Sequence, residues 1–203
     1  MQNNPLAVIA IILVSIYVIK LWLDDLRAMR SGKPHPKALP GATPTSWTAV
    51  GIAALGATLI LAGETIGEIQ LGLAEQQSNM TVLFAAYTLC AAVVEEIVFR
   101  GYIVVENRGT AVKWMAVLGA SILFAALHPF LWDWREGRIL WTLGAKGWFS
   151  TVVVLLSSVW FYTVRFARFN PSGSLLPCFA AHLTKNVGVI AIKAIQGHLI
   201  GLY

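Results

Sequence analysis

Charge is what this sequence most lacks. Only 12% of its 203 residues are Asp, Glu, Lys or Arg, about half the ~25% of an ordinary soluble domain. Hydrophobic residues make up 57% of the chain, and the mean hydropathy is +0.69. This balance excludes a soluble globular domain and predicts a polytopic membrane protein. Aspartate is scarcest of the charged residues. Asp24, Asp25 and Asp133 are the full set, and none lies in an apolar run, so a membrane-embedded pair of aspartates is excluded as a catalytic device. Cysteine is limited to Cys90 and Cys178, both in apolar segments without Cys-x-x-Cys or metal spacing; they read as buried thiols. The start of the chain has no basic n-region, and the apolar run 5–23 is longer than the ~7–15 residues of a signal-peptide core. It is expected to stay as a span. The net charge of +5 is scattered along the edges of apolar runs and forms no nucleic-acid-binding motif, so no nucleic-acid partner is expected.

What is present is a succession of apolar runs at 5–23, 47–63, 81–106, 111–130, 147–166 and 174–197, each near the ~20 residues a helix needs to cross a bilayer. They predict an all-α, polytopic transmembrane helical bundle of about six spans in one domain, 1–203. Residues 24–46, rich in Pro, Gly, Lys and Arg, read as a solvated loop. The segment 131–148 alternates tryptophans with charges, the composition of the headgroup level. Arg27, Arg30, Lys33, Lys37, Arg108, Lys113, Arg165 and Arg168 fall on one side of a six-span topology. The positive-inside rule makes that side cytoplasmic and both termini external, against the opposing pull of Arg135, Arg138 and Lys146. Packing of alanine- and glycine-rich faces on spans two, three and six is expected to hold the bundle, because lipid gives helices no hydrophobic drive to associate.

Within this apolar background, polar residues in the spans stand out. Glu95, Glu96 and Arg100 lie in the third run, where each unpaired charge costs ~2.5–3.5 kcal/mol on insertion scales. Glu96 and Arg100, at i,i+4, are placed to pair on one helix face, which leaves Glu95 free about 100° away. Phe124 lies one turn before His128 in the fourth run, and His182 one turn before Asn186 in the sixth. Each group has an ordinary structural reading: an ion pair that fixes packing, an interfacial histidine, and polar glue between helices at ~0.6–2 kcal/mol per bond. Together they put a carboxylate base, imidazoles and hydrogen-bond donors in one membrane region. No Gly-x-Ser-Gly is present for a serine nucleophile, and Cys178 beside His182 lacks a third, orienting group.

The ordered set Glu-Glu-x-x-x-Arg (95–100), Phe-x-x-x-His (124–128) and His-x-x-x-Asn (182–186) resembles the CAAX prenyl protease and bacteriocin-processing family, also called abortive-infection or type II CAAX endopeptidases, over residues 81–190. The resemblance implies an intramembrane endopeptidase with its active site between spans three, four and six. Glu95 would activate a water, His128 would hold that water, and His182 and Asn186 would stabilise the oxyanion. Glu96, Arg100 and Phe124 would be structural supports. Substrate-binding residues are not indicated. Members are often labelled metalloproteases, which leaves zinc on Glu95, His128 and His182 as an alternative. The lack of His-Glu-x-x-His and the wide spacing of those residues favour a metal-free mechanism without cofactor. The implied partners are the lipid bilayer and a membrane-anchored protein or peptide: a CAAX tail, a leader peptide, a bacteriocin or a C-terminal sorting signal. The compact chain points to a bacterial cytoplasmic membrane. Lys185, inside the third motif, departs as a cation that either snorkels or meets an anionic substrate group. Two other readings compete, a non-catalytic scaffold or immunity protein of the same fold, and an ion- or proton-coupled transporter, the latter disfavoured by the absence of an internal repeat.

Overall fold

The computed structural model describes residues 4–203. It contains six helices long and apolar enough to cross a membrane: α1 (Pro5–Arg30), α2 (Trp47–Gln70), α3 (Val82–Glu96, continued as a π-helical turn over Ile97–Tyr102), α4 (Thr110–Leu127), α5 (Ala145–Phe166) and α6 (Leu176–Ile195). The remaining regular structure among the described residues is a 3₁₀ turn at Ala74–Gln76 and a hairpin of β1 (Trp132–Arg135) and β2 (Arg138–Trp141). The chain is therefore a mostly helical integral membrane bundle with one small hairpin.

Local chemistry sets the helix starts. The Asn4, Ser46 and Thr81 side chains accept from the backbone N–H groups of Ala7, Ala49 and Phe84, closing the first turns of α1, α2 and α3 as N-caps do. Several boundaries differ from the sequence expectation, among them the end of the third span, at Tyr102 rather than 106. Helix α1 continues through 24–30, read from sequence as loop, because Lys20–Asp24 and Asp24–Arg27 ion pairs at 2.7 and 2.8 Å support the helix beyond its apolar part. Helix α2 runs on past residue 63 to Gln70, because Glu64 and Glu68 find partners: Lys185 holds Glu64 at 2.7 Å, and Lys146 and Gln77 bond Glu68. Helix α4 stops at Leu127 rather than 130. Pro129 bars the helical conformation for the residue before it, and His128 is extended at φ −84°, ψ 122°.

The segment between α4 and α5 folds back as an antiparallel hairpin, with Trp132 opposite Trp141 and Arg135 opposite Arg138. Glu136 and Gly137 both have positive φ, 51° and 77°, the signature of a two-residue type I′ turn.

Small residues set the helix spacing. Ala49, Ala53 and Ala57 are fully buried along one stripe of α2, and Trp160 of α5 donates its indole N–H to the Ala53 carbonyl at 3.1 Å. One core joins Trp22 and Leu26 of α1, Ala53 and Ala57, Val93 and Ile97 of α3, Phe161 and Val164 of α5, and Cys178, Phe179 and Ala181 of α6. A second joins Phe99, Val117, Ala120, Phe124 and Tyr162. The polar residues of the three motifs lie where these two cores meet.

Candidate functional site

Helix α3 delivers two adjacent glutamates into different surroundings. Glu96 is fully buried and its side chain pairs with the equally buried Arg100, whose Nη1 donates to Glu96 Oε1 at 3.1 Å. Glu95, one residue earlier, keeps a third of its side chain exposed. The difference follows from the ~100° rotation per residue, which turns Glu96 toward α5 and α6.

Arg100 is held through both of its terminal nitrogens and by the rings around it. Its Nη2 donates to the Ser158 hydroxyl at 2.6 Å and to the Ser158 carbonyl at 3.2 Å, and Ser158 Oγ donates onward to Ser121 Oγ at 3.0 Å. The guanidinium lies 4.6 Å from the Phe124 ring centre, 4.7 Å from Tyr162 and 5.2 Å from Phe161, distances at which an aromatic face attracts a cation. The π-helical turn that carries Arg100 is pinned from α5. The Tyr162 hydroxyl reaches the carbonyls of Phe99 at 2.8 Å and Ile103 at 3.0 Å, and Arg165 Nε donates to the Arg100 carbonyl at 3.0 Å. These bonds engage backbone acceptors that a π turn frees from the regular ladder, in a region without water to satisfy them.

His182 of α6 completes the buried arrangement. Its Nδ1 stands 2.8 Å from Glu96 Oε1, and its ring stacks on Phe161 at 4.8 Å. A carboxylate only accepts, so the ring carries a proton on Nδ1 and directs Nε2 elsewhere. Nε2 lies 3.9 Å from Glu95 Oε2. Asn186, one turn on, donates from Nδ2 to the Thr88 carbonyl of α3 at 3.0 Å, which ties α6 to α3 and leaves the second amide hydrogen available.

His128 follows the last residue of α4, where helix carbonyls lose their intrahelical partners. Its ring Nδ1 satisfies the Phe124 carbonyl at 2.8 Å and its backbone N–H that of Ala125 at 3.2 Å. Here too the proton is placed on Nδ1 and Nε2 is left free of the backbone. Phe124 links the two imidazoles, with ring centres 4.7 Å from His128 and 6.1 Å from His182.

The structure thus brings Glu95, Glu96, Arg100 and His182 together, with Phe124 linking His128 to them, while Asn186 bonds the Thr88 carbonyl two turns before Glu95. Ser121, Ser158, Phe161 and Tyr162 were missed. The signal available for them was weak, a serine pair and a tyrosine inside an apolar run at 157–162. Lys185 differs from its expected role, because Glu64 of α2 holds its ammonium at 2.7 Å and the side chain is one-tenth exposed. It is a helix-to-helix tie rather than a free cation. Cys178 is fully buried with its thiol toward the Phe161 carbonyl, as a structural cysteine would be.

Among the described residues, no three His, Cys, Asp or Glu side chains come together closely enough to hold a metal ion.

No curated protein and no solved structure matches the chain. A family model described as type II CAAX prenyl endopeptidase Rce1-like matches residues 77–188, more than half of the chain and a stretch that contains every motif residue placed above. The chain belongs to this Rce1-like family of membrane endopeptidases.

Proposed function

We propose that the protein is an intramembrane endopeptidase that cleaves a membrane-anchored protein or peptide by attack of a glutamate-activated water, without a metal. The observation that carries this reading is the asymmetry of the two glutamates: Glu95 partly open and facing His182 Nε2, Glu96 sealed against Arg100 and His182 Nδ1. The 3.9 Å between Glu95 Oε2 and His182 Nε2 is longer than a direct hydrogen bond and suits a bridging water.

In this mechanism Glu95 takes a proton from the water while its oxygen adds to the scissile carbonyl carbon. General-base assistance of this kind contributes ~10²–10⁴-fold. The developing oxyanion is met by the free Asn186 amide hydrogen and by the Nε2–H of the imidazolium form of His182, whose Nδ1–H is taken by Glu96. One such preorganised donor is worth ~2.7–4 kcal/mol. His128 accepts from the water through Nε2. When the tetrahedral intermediate collapses, the C–N bond breaks and the proton held by Glu95 passes to the leaving amine. Arg100, with Ser158 and Ser121 behind it, holds the Glu96 carboxylate in place and through it the His182 ring.

The substrate is a peptide anchored in the lipid bilayer, and the setting is a bacterial cytoplasmic membrane with the Arg-rich helix ends at the cytoplasm. The test is cleavage of membrane-anchored peptides by purified protein in liposomes, comparing wild type with Glu95→Gln, His128→Ala and His182→Ala, with and without a chelator. Loss of cleavage in all three folded variants, with wild type insensitive to chelator, is the expected result. Chelator inhibition reversed by zinc would replace the metal-free mechanism, and equal cleavage by wild type and Glu95→Gln would overturn the site.

A further inference from the structure

The hairpin between α4 and α5 has open sheet edges. The Thr142 backbone N–H donates to the Leu131 carbonyl at 2.8 Å, which makes Leu131 and Thr142 a hydrogen-bonded pair. With Trp132 opposite Trp141 and Arg135 opposite Arg138, the alternation of an antiparallel ladder makes Asp133 with Leu140, and Arg135 with Arg138, the next bonded pairs. The backbone N–H and C=O groups of Trp132 and Trp134 therefore point away from β2, and those of Ile139 and Trp141 away from β1. Among the described residues, no protein hydrogen bond reaches any of these outward groups.

Natural sheets blunt such edges with a proline, a bulge or a charge, or cover them. Here the register runs from Trp132 to Arg135 without a bulge, and 132–141 holds no proline. Asp133, Arg135 and Arg138 occupy the paired positions, whereas the outward positions hold tryptophan and isoleucine, which are strand formers. Trp134 on β1 and Trp141 on β2 are 61% and 69% exposed, so the fold leaves both edges uncovered. The hairpin is nevertheless fixed in place beside the candidate site. The His128 carbonyl accepts from the Phe130 N–H at 2.8 Å, a tight turn that leads from His128 into β1. Trp132 Nε1 donates to the Ala126 carbonyl at 2.8 Å, which fastens the hairpin as a roof over the last turn of α4. His128, Trp132, Ile139 and Trp141 border one hollow, so both strands stand next to the imidazole.

We infer that an edge of this hairpin receives the substrate as an added β-strand: the peptide lies extended along β1 or β2, exchanges main-chain hydrogen bonds with the outward groups, and brings its scissile bond to His128 and Glu95. The inference rests on the reading of Glu95, His128 and His182 as the hydrolytic site. The occupant follows from what hydrolysis demands. Inside a helix each carbonyl is engaged by the N–H four residues on, so an anchored helical segment must unwind before water attacks it. Unwinding strips backbone groups of their partners, at a cost in free energy wherever water is scarce. A sheet edge supplies new partners through the main chain alone, whichever side chains the peptide carries. A lipid chain has no groups to match that ladder.

Two arms test it. Proline at an outward position deletes one edge N–H and leaves the hairpin's own ladder whole, so Trp134→Pro and Ile139→Pro probe the two edges separately. Each is assayed with anchored peptides carrying a single N-methyl group at successive positions beside the cleaved bond. In wild type, N-methylation should lower kcat/KM about 10-fold at alternate positions, the period of a strand and roughly the worth of one backbone hydrogen bond. The proline variant of the occupied edge should lose about as much with the parent peptide and little more when the residue opposite the proline is N-methylated. No alternation in wild type, or full alternation retained in both variants, would overturn the added strand and leave the protease reading standing.

The second arm needs neither turnover nor proline. Glu95→Gln protein with Cys90→Ser and Cys178→Ala, carrying Trp134→Cys or Ile139→Cys, is oxidised in liposomes with peptides that bear one cysteine at successive positions. Cross-strand neighbours are close enough for a disulfide. Disulfides at alternate peptide positions from one edge support the added strand, even were no peptide cleaved, a failure that would strike the hydrolytic reading alone. Disulfides without alternation, none at all, or a hairpin-to-hairpin disulfide between two copies that peptide does not displace would refute it.

Discussion

Replacing Arg100 with methionine isolates what the buried pair contributes. The guanidinium and the Glu96 carboxylate are both fully buried, so the substitution leaves a carboxylate in a low-dielectric interior with the His182 ring as its main remaining partner. Removing one member of a buried pair costs ~3–5 kcal/mol. The lost bonds to Ser158 are part of that truncation cost rather than an addition to it, because measured contributions of contacting groups do not sum. At 1.4 kcal/mol per tenfold, the folding equilibrium should fall by about 10²–10⁴. A second substitution, Glu96→Gln, removes the stranded charge while its amide oxygen still accepts from His182 Nδ1. Arg100→Met/Glu96→Gln should therefore be more stable than Arg100→Met alone, by a coupling near the top of the ~0.5–3 kcal/mol range for contacting residues. The assay is reversible unfolding in mixed micelles with increasing SDS, followed by tryptophan fluorescence, on the four proteins of the cycle. A cost below about 1 kcal/mol for Arg100→Met, or a double variant less stable than either single one, would refute the reasoning.

Three further outcomes follow from particular contacts. Tyr162→Phe frees the Phe99 and Ile103 carbonyls in the π-helical turn; it should destabilise the protein by ~1–3 kcal/mol and speed amide exchange at 97–103 above the rest of α3, read by hydrogen–deuterium exchange. Lys185→Met should leave peptide cleavage unchanged yet lower stability by stranding Glu64, and Glu64→Gln should restore part of the loss; reduced cleavage at unchanged stability would return Lys185 to substrate binding. Trp132→Phe removes the indole donor from the Ala126 carbonyl, so it should cost about 1 kcal/mol and increase protease nicking of the hairpin in liposomes; an unchanged digestion pattern would contradict the fastening of the roof.

The spans were legible because apolar runs near bilayer length leave few alternatives, and the three motifs were legible because charge inside such runs is rare. What stayed hidden depended on partners far along the chain. Nothing near Gly63 announces that α2 continues to Gln70; its Glu64 and Glu68 become tolerable only when Lys185, Lys146 and Gln77 reach them from α6, α5 and the 3₁₀ region. The π-helical turn at 97–102 has the composition of an ordinary helix, and its stabilisers, Tyr162 and Arg165, lie some sixty residues away. The i,i+4 spacing of Glu96 and Arg100 indicated the pair, but the bond from Glu96 to His182 crosses 86 positions. That bond makes Glu96 a positioning residue for the imidazole as well as a partner for Arg100. The hairpin carried a local signal that went unused, Glu136-Gly137 between Trp- and Arg-bearing flanks, overshadowed by its headgroup-like composition.

The central claim is that two neighbouring carboxylates divide the work, Glu95 reacting and Glu96 positioning. The most direct measurement compares Glu95→Gln with Glu96→Gln in the same liposomes, reading peptide cleavage and unfolding free energy side by side. Glu95→Gln should lose ~10²–10⁴-fold in kcat with stability unchanged, whereas Glu96→Gln should lose stability by leaving Arg100 buried without its counter-charge. A stable, fully active Glu95→Gln enzyme, or a Glu96→Gln enzyme that is inactive at undiminished stability, would contradict the account.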